Sequence, residues 1–242
     1  MIEAVLFDVD DTLYDQTMPF STAYDAVFSD RGWHVSMNEL YTRSRVRSDE
    51  VFGPSQRGEI SMETMYIYRI QKAFEDIGIS ITDVEALSFQ SVYAMAQQQI
   101  YMTPVIESLL GALVKMNVQL GIITNGPSDH QRNKIERLGL RRFIPEKHII
   151  ISGDIGVAKP DAAIFAYAAQ RMNLVNPPLF VGDSIENDIK GAKKAGWYTL
   201  WFNRRGLPLP EIQPNYYVDS EEMLKSLLLD RIFIRQESGQ SL

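Results

Sequence analysis

The sequence contains no cysteine, and that absence removes disulfides, thiolate nucleophiles and every cysteine-based zinc or iron–sulfur site. Histidine is scarce as well. Only His34, His130 and His148 occur, scattered along 242 residues, which argues against a histidine-ligated metal. Positive charge is in deficit: 24 Lys and Arg stand against 31 Asp and Glu, a net −7, so no nucleic-acid polymer is expected as a partner. No apolar run approaches the roughly 18 residues of a membrane span, and no membrane partner is expected. The opening residues carry Glu3 and no basic stretch, and their apolar run stops at Asp8. No secretory leader is therefore expected, and the cytoplasm is the expected location. Internal repeats and low-complexity segments are also missing.

What is present suits an ordinary globular protein with enough apolar content for a real core. Short continuous apolar runs occur at Ala4–Phe7, Val118–Thr124, His148–Ser152, Leu179–Val181 and Tyr198–Phe202. They are rich in β-branched and aromatic residues and show little alternation, as parallel strands covered on both faces do. Between them lie helix-like segments at Pro104–Met116, Ser128–Leu138, Pro160–Met172 and Glu186–Lys194. That alternation predicts a doubly wound, Rossmann-like α/β core with a mostly parallel sheet. Residues 16–103 break the pattern, offering only helices such as Phe20–Asp30, Asn38–Val51, Met62–Ile77 and Val84–Ile100. The expected organisation is a core formed by residues 1–15 and 104–242, interrupted by a helical cap at 16–103.

The ends of the predicted strands concentrate chemistry. The first run leads into "DVDDTLYD", which crowds Asp8, Asp10, Asp11 and Asp15 together, an arrangement that calls for a cation or for chemistry. The second ends in Thr124, Asn125 and Gly126, with a helix starting directly behind. "AKPD" sets Lys159 before Pro160, which predicts an extended lysine at a helix start. "VGDSIEND" puts Asp183 at a strand end and Asp188 in the first turn of the next helix. In open parallel sheets ligand groups gather past the carboxyl ends of strands. Carboxylates, a hydroxyl, an amide-rich turn and one lysine together suit a divalent cation and a phosphate.

In their order, "DVDDT", "ITN", "KP" and "GDSIEND" resemble the four motifs of the haloacid dehalogenase superfamily, most closely its branch with a helical cap inserted after the first strand. The resemblance spans nearly the whole chain. It implies a Mg²⁺-dependent phosphatase that hydrolyses a small phosphorylated metabolite, of the nucleotide or sugar phosphate class, through an aspartyl-phosphate. Asp8 would be the nucleophile and Asp10 the general acid and base. Thr124, through its hydroxyl, and Asn125, through its backbone N–H, would bind the phosphate with Lys159, which would also neutralise developing charge. Asp8, the Asp10 carbonyl and Asp183 would hold Mg²⁺, with Asp188 behind them orienting a bound water or pairing with Lys159. Asp11 stands where the family often has glycine, and a structural role is expected for it. Asp15 is expected to make a polar contact near the hinge of the cap.

Each motif also has a plainer meaning: Asp8 could cap a turn, Asn-Gly is a common turn pair, and a lysine before proline is usually solvated. Within the family, a hexose-phosphate mutase keeps both aspartates, whereas a dehalogenase lacks the acid that Asp10 supplies. Outside it, a phospho-aspartate receiver or other non-enzymatic binding protein uses a similar set, but on an internal strand and without a helical insert. Arg43, Arg45 and Arg47 on a cap helix could meet a distal anion, though a solvated face is the simpler expectation. Arg204 and Arg205 carry no assignment, and Tyr66, Tyr68 and Phe74 are expected in the cap core.

Overall fold

The computed structural model describes residues 2–233, the side chains of residues 52, 56 and 231–233 excepted. It divides into an α/β unit, Met1–Asp15 with Tyr101–Leu242, and a helical unit, Gln16–Ile100.

Six parallel strands form the sheet of the α/β unit: β1 (Ala4–Phe7), β2 (Gln119–Thr124), β3 (Ile149–Ile151), β4 (Leu179–Gly182), β5 (Tyr198–Phe202) and β6 (Tyr216–Val218). Their order is β3-β2-β1-β4-β5-β6. The chain therefore lays strands to one side of β1, then returns and builds outward from β4. The order reverses between β1 and β4, so their carboxyl ends flank the crevice that such sheets use for ligands. Every residue of β1 and β4 is buried, as the near-continuous apolar runs require. On one face Leu6, Ile123 and Phe180 pack with Ile164 and Phe165 of a covering helix. Five strands match the apolar runs. The sixth, "YYV", is too short and too polar in its surroundings to have been read from periodicity.

The helical unit contains α1 (Thr17–Phe28), α2 (Met37–Gln56), α3 (Met62–Glu75) and α4 (Asp83–Ala96). Three of its helices start on hydroxyl caps, Ser36, Ser61 and Thr82, the last in a capping box with Glu85. It has its own core of Phe20, Phe28, Leu40, Ile70, Phe74 and Phe89, with aromatic rings meeting edge to face at Phe20. Phe74 lies in that core, while Tyr68 donates its hydroxyl to Glu50.

Helices of the α/β unit are α5 (Pro104–Lys115), α6 (Ser128–Arg137), the short α7 (Ser152–Ile155), α8 (Ala162–Met172), α9 (Lys190–Lys194) and α10 (Glu221–Ser226). Pro160 does not begin α8. It follows a cis peptide bond from Lys159, and Asp161 caps the helix one residue later. The two points where the chain leaves and re-enters this unit are tied to adjacent arginines. Arg205 donates to the carboxylates of Asp11 and Asp15. Arg204 donates to the Asp11 carbonyl at 3.3 Å and to Glu221 at 2.8 Å, and Glu221 accepts in turn from the Thr103 hydroxyl.

Candidate active site

Asp8 follows β1 directly, and its backbone N–H donates to the Val181 carbonyl of β4 at 2.9 Å, which carries the strand pairing one residue beyond the apolar run. Its carboxylate is buried and accepts a hydrogen bond from Lys159 Nζ at 2.6 Å. The same ammonium donates to Asp188 Oδ1 at 2.6 Å. Lys159 is 4% exposed and Asp188 1%, so one lysine bridges two carboxylates away from water. Burial alone would lower the pKa of Lys159, but Asp188 and Asp8 outweigh it and the ammonium is held charged. For Asp8 the balance runs the other way. Burial pushes its carboxyl up to about 7, with Asp188 and Asp10 adding repulsion that Lys159 offsets only in part.

Lys159 owes its position to Asn125. The Asn125 side chain accepts from the Lys159 backbone N–H and donates to its carbonyl, both at 2.9 Å. The asparagine thus clamps the lysine's main chain from both sides. This role of the side chain was not anticipated from the sequence, which assigned only the backbone N–H of Asn125. Beside it, Thr124 is fully buried and its Oγ1 has no hydrogen-bond partner among the described residues. A buried hydroxyl without a partner is costly unless a ligand supplies one. Behind it Gly126, at φ +147°, donates its N–H to Ser152 Oγ at 2.9 Å and leads into α6. The α6 amino terminus provides partial positive charge for an anion.

Asp183 and Asp188 come from the end of β4. Asp188 lies in a π-type turn, Ile185–Ile189, that precedes α9. Such turns concentrate at functional sites because they re-aim one side chain. Asp188 Oδ2 accepts from the Ser184 N–H at 2.9 Å. The fit is close: a Cβ on Gly182 would lie 2.3 Å from that same oxygen. Asp183 is half-buried, and among the described residues its carboxylate accepts no hydrogen bond. Burial first, then the charges of Asp11, Asp188 and Asp8, push its pKa well above the usual carboxylate range.

One carboxylate oxygen from each of Asp8, Asp183 and Asp188 lies within 4.8 Å of the others. An all-oxygen donor set short of positive charge fits a hard divalent cation such as Mg²⁺. Both oxygens of Asp188 already accept bonds, so Asp8 and Asp183 are the better-placed direct ligands.

Asp10 faces elsewhere. Its carboxylate receives Lys134 Nζ at 2.7 Å on each oxygen, the Tyr14 hydroxyl at 2.6 Å and Gln131 Nε2 at 3.2 Å. Burial would raise its pKa, but Lys134 above all, with Tyr14 and Gln131, holds it down to about 2. Gln131 also donates to the Asn125 carbonyl at 2.9 Å, linking this group to the end of β2. None of Lys134, Gln131 and Tyr14 was singled out from the sequence. A signal existed: Gln131 and Lys134 stand three apart on the helix behind "ITN", so they share one face. Asp11 has φ +57°, a left-handed conformation that costs glycine nothing and that aspartate tolerates, and its side chain is taken by Arg205.

A family model for haloacid dehalogenase-like hydrolases matches residues 2–196. The chain belongs to that family. It is therefore an enzyme, a hydrolase, and its relatives include named phosphatases. It is 32% identical over 231 residues to the pyrimidine 5'-nucleotidase YjjG of Escherichia coli, covering 93% of this chain and 96% of that one. It is 31% identical over 209 residues to a glyceraldehyde 3-phosphate phosphatase of Methanopyrus kandleri, covering 84% and 85%. Among solved structures, the putative hydrolase YfnB of Bacillus subtilis, bound to magnesium, superposes with a TM-score of 0.66 at 25% identity over 94% of this chain and 99% of that one. The parallel sheet and its helices are thus the family's α/β Rossmann-like fold. No described helix is long and apolar enough to cross a membrane.

Proposed function

We propose that this hydrolase is a Mg²⁺-dependent phosphomonoesterase that cleaves a small phosphorylated metabolite, of the nucleotide or sugar phosphate class, through an aspartyl-phosphate on Asp8. The observation that carries the reading is the buried Asp8–Lys159–Asp188 bridge at the β1/β4 crevice, set beside the unpartnered hydroxyl of Thr124. A nucleophile just past β1, an anion-seeking hydroxyl at the end of β2 and a cation in the segment between α7 and α8 support phosphoryl transfer. The named activities of the relatives point the same way.

Asp8 and Asp183 would hold the metal, with the Asp10 carbonyl as the family pattern implies, and Asp188 would steady the group from behind. When bound, Mg²⁺ supplies positive charge that quiets the crowded carboxylates and neutralises the phosphate. The protein's own groups then divide the work. Thr124 and the α6 amino terminus orient the phosphate, and Lys159, fixed by Asn125, balances charge on its oxygens. An Asp8 oxygen attacks phosphorus, the bond to the leaving oxygen breaks, and Asp10 gives that oxygen a proton. Water then attacks the aspartyl-phosphate and gives its proton to Asp10. Inorganic phosphate leaves and the Asp8 carboxylate is restored. The base role suits the ionised state that Lys134 maintains, whereas the acid role requires the Asp10 carboxyl to leave Lys134 first.

A broad phosphomonoester panel, run with and without Mg²⁺ on the wild type and Asp8→Asn, tests the proposal. Metal-dependent turnover that Asp8→Asn abolishes on every ester is expected. Turnover that survives exhaustive chelation, or survives the substitution, would overturn it.

A further inference from the structure

Gln131 touches two parts of the candidate site and takes no part in the chemistry of either. It is 2% exposed, on α6. Its Nε2 carries two hydrogens, and its two acceptors are the Asn125 carbonyl at 2.9 Å and Asp10 Oδ2 at 3.2 Å. Its Oε1 is buried and has no hydrogen-bond partner among the described residues. Turning the amide over would set that oxygen against a carbonyl and a carboxylate, so the two acceptors fix which way it points. A buried amide oxygen left unmet costs stability, and an apolar side chain of the same shape would avoid that cost. The glutamine is thus held in an unfavourable setting that lets both its N–H groups reach the site.

The turn after β2 is shaped to admit it. A Cβ on Gly126 would lie 2.7 Å from Gln131 Nε2, and Gly126 is itself pinned by Ser152, whose Oγ accepts its N–H at 2.9 Å. Lys134 is the stronger partner of Asp10, but its ammonium ends a flexible stem and both its bonds go to that one carboxylate. Lys134 supplies charge, whereas the planar amide of Gln131 supplies a fixed spacing between Asp10 and the turn. We propose that Gln131 is a positioning residue that registers the Asp10 carboxylate against the Thr124–Asn125–Gly126 turn. The role rests on the phosphatase reading, because proton transfer by Asp10 is the step that needs this register. A phosphate held at the turn fixes where the leaving oxygen lies, and displacing a catalytic group by ~1 Å costs about 10²-fold in rate.

Two measurements on the full chain test it. The first is a double-mutant cycle of urea midpoints in chelator, which needs no turnover: Gln131→Met, Asp10→Ala and the two together. The midpoint shift caused by Gln131→Met should be smaller in the Asp10→Ala background than in the wild type, and additive shifts overturn the proposal. The second is steady-state and burst kinetics with Mg²⁺ on glycerol 3-phosphate and p-nitrophenyl phosphate. Gln131→Met should lower kcat on the alkyl ester by roughly 10- to 100-fold with KM changed less than about threefold, because Thr124 and Lys159 still meet the phosphate. p-Nitrophenolate leaves without a proton, so the variant should release it in a burst close to one per active site and then slow. A glutamine that only packs the turn would instead raise KM, and the inhibition constant of inorganic phosphate, on both esters with no burst; that result overturns the proposal. Gln131→Asn keeps an amide but is one methylene too short to span both acceptors. It should show the same kinetic split, and it carries the test should Gln131→Met fold poorly. A wild type inert towards both esters would count against the phosphatase reading, and the cycle would still decide whether Gln131 holds Asp10.

Discussion

Replacing Lys159 with Met removes one ammonium and strands two carboxylates. Lys159 Nζ lies 2.6 Å from both Asp8 and Asp188, and all three side chains are out of water. Methionine nearly fills the volume, so packing changes little and the effect isolates charge. Breaking a buried ion pair from one side costs roughly 3–5 kcal/mol, because the remaining charge is left uncompensated. In a chain of this size each kcal/mol moves Tm by about 2–4 °C, so metal-free Lys159→Met should melt roughly 6–20 °C below the wild type. The loss should be smaller at pH 6 than at pH 8, since a proton on the Asp8 carboxyl, which burial already pushes up to about 7, can stand in for the missing ammonium. Excess Mg²⁺ should narrow the gap: a ligand at 100 times its Kd adds about 2.7 kcal/mol, and the variant's cluster has no ammonium competing with it. Activity should fall by roughly 10²–10³ even with metal present, because the charge that balances the transferring phosphate is gone. Calorimetry in chelator and in Mg²⁺ reads all of this. Equal melting of variant and wild type in chelator would show that the bridge carries no net stabilisation and would refute the reasoning.

Three further outcomes are expected. Asp10→Asn should release a burst of p-nitrophenolate close to one per active site and then stall, while alkyl phosphates slow by roughly 10²–10⁴; equal losses on both would remove Asp10 from proton transfer. Gly182→Ala should destabilise by about 1–3 kcal/mol and displace Asp188, because the new methyl would sit 2.3 Å from Asp188 Oδ2; an unshifted denaturation midpoint would contradict that packing. His148 is buried, its Nδ1–H donates to the Leu120 carbonyl at 3.0 Å, and burial lowers its pKa. On acidification the unfolded chain takes this proton first, so stability present above about pH 6.5 is lost between there and the lowered folded value. A pH series of urea melts should show this segment flatten in His148→Gln, and an unchanged slope would reject it.

Most of the α/β unit was legible because a parallel strand buried on both faces needs an uninterrupted apolar run. "AVLF" and "YTLWF" match β1 and β5 residue for residue. The helices of the inserted unit overlap the helix-like segments read from the sequence, although their hydroxyl caps, Ser36, Ser61 and Thr82, were not used in that reading. The candidate site was legible only in part. Residues that end strands announce themselves by polarity after an apolar run, which is how Asp8, Thr124 and Asp183 were found. Lys134 and Gln131 lie on an otherwise ordinary polar helix; their spacing of three puts them on one face behind "ITN", but only the tertiary fold shows that this face reaches Asp10, 124 positions away, rather than water. The same holds for Arg205 and Asp11: their pairing is a fact of tertiary structure, invisible until the sheet sets β5 two strands from β1.

The adjacent Arg204 and Arg205 carry an evolutionary and engineering consequence. Asp15, where the chain departs, and Thr103, near where it returns, are both moored to this one pair, the second by way of Glu221. The α/β unit therefore closes its own ends without help from the 85 residues between them. An insert fastened in this way is exchangeable cargo. Replacing Gln16–Ile100 by a short flexible loop should leave a folded sheet with the Asp8–Lys159–Asp188 bridge intact, and a different helical module could be spliced at the same two moorings.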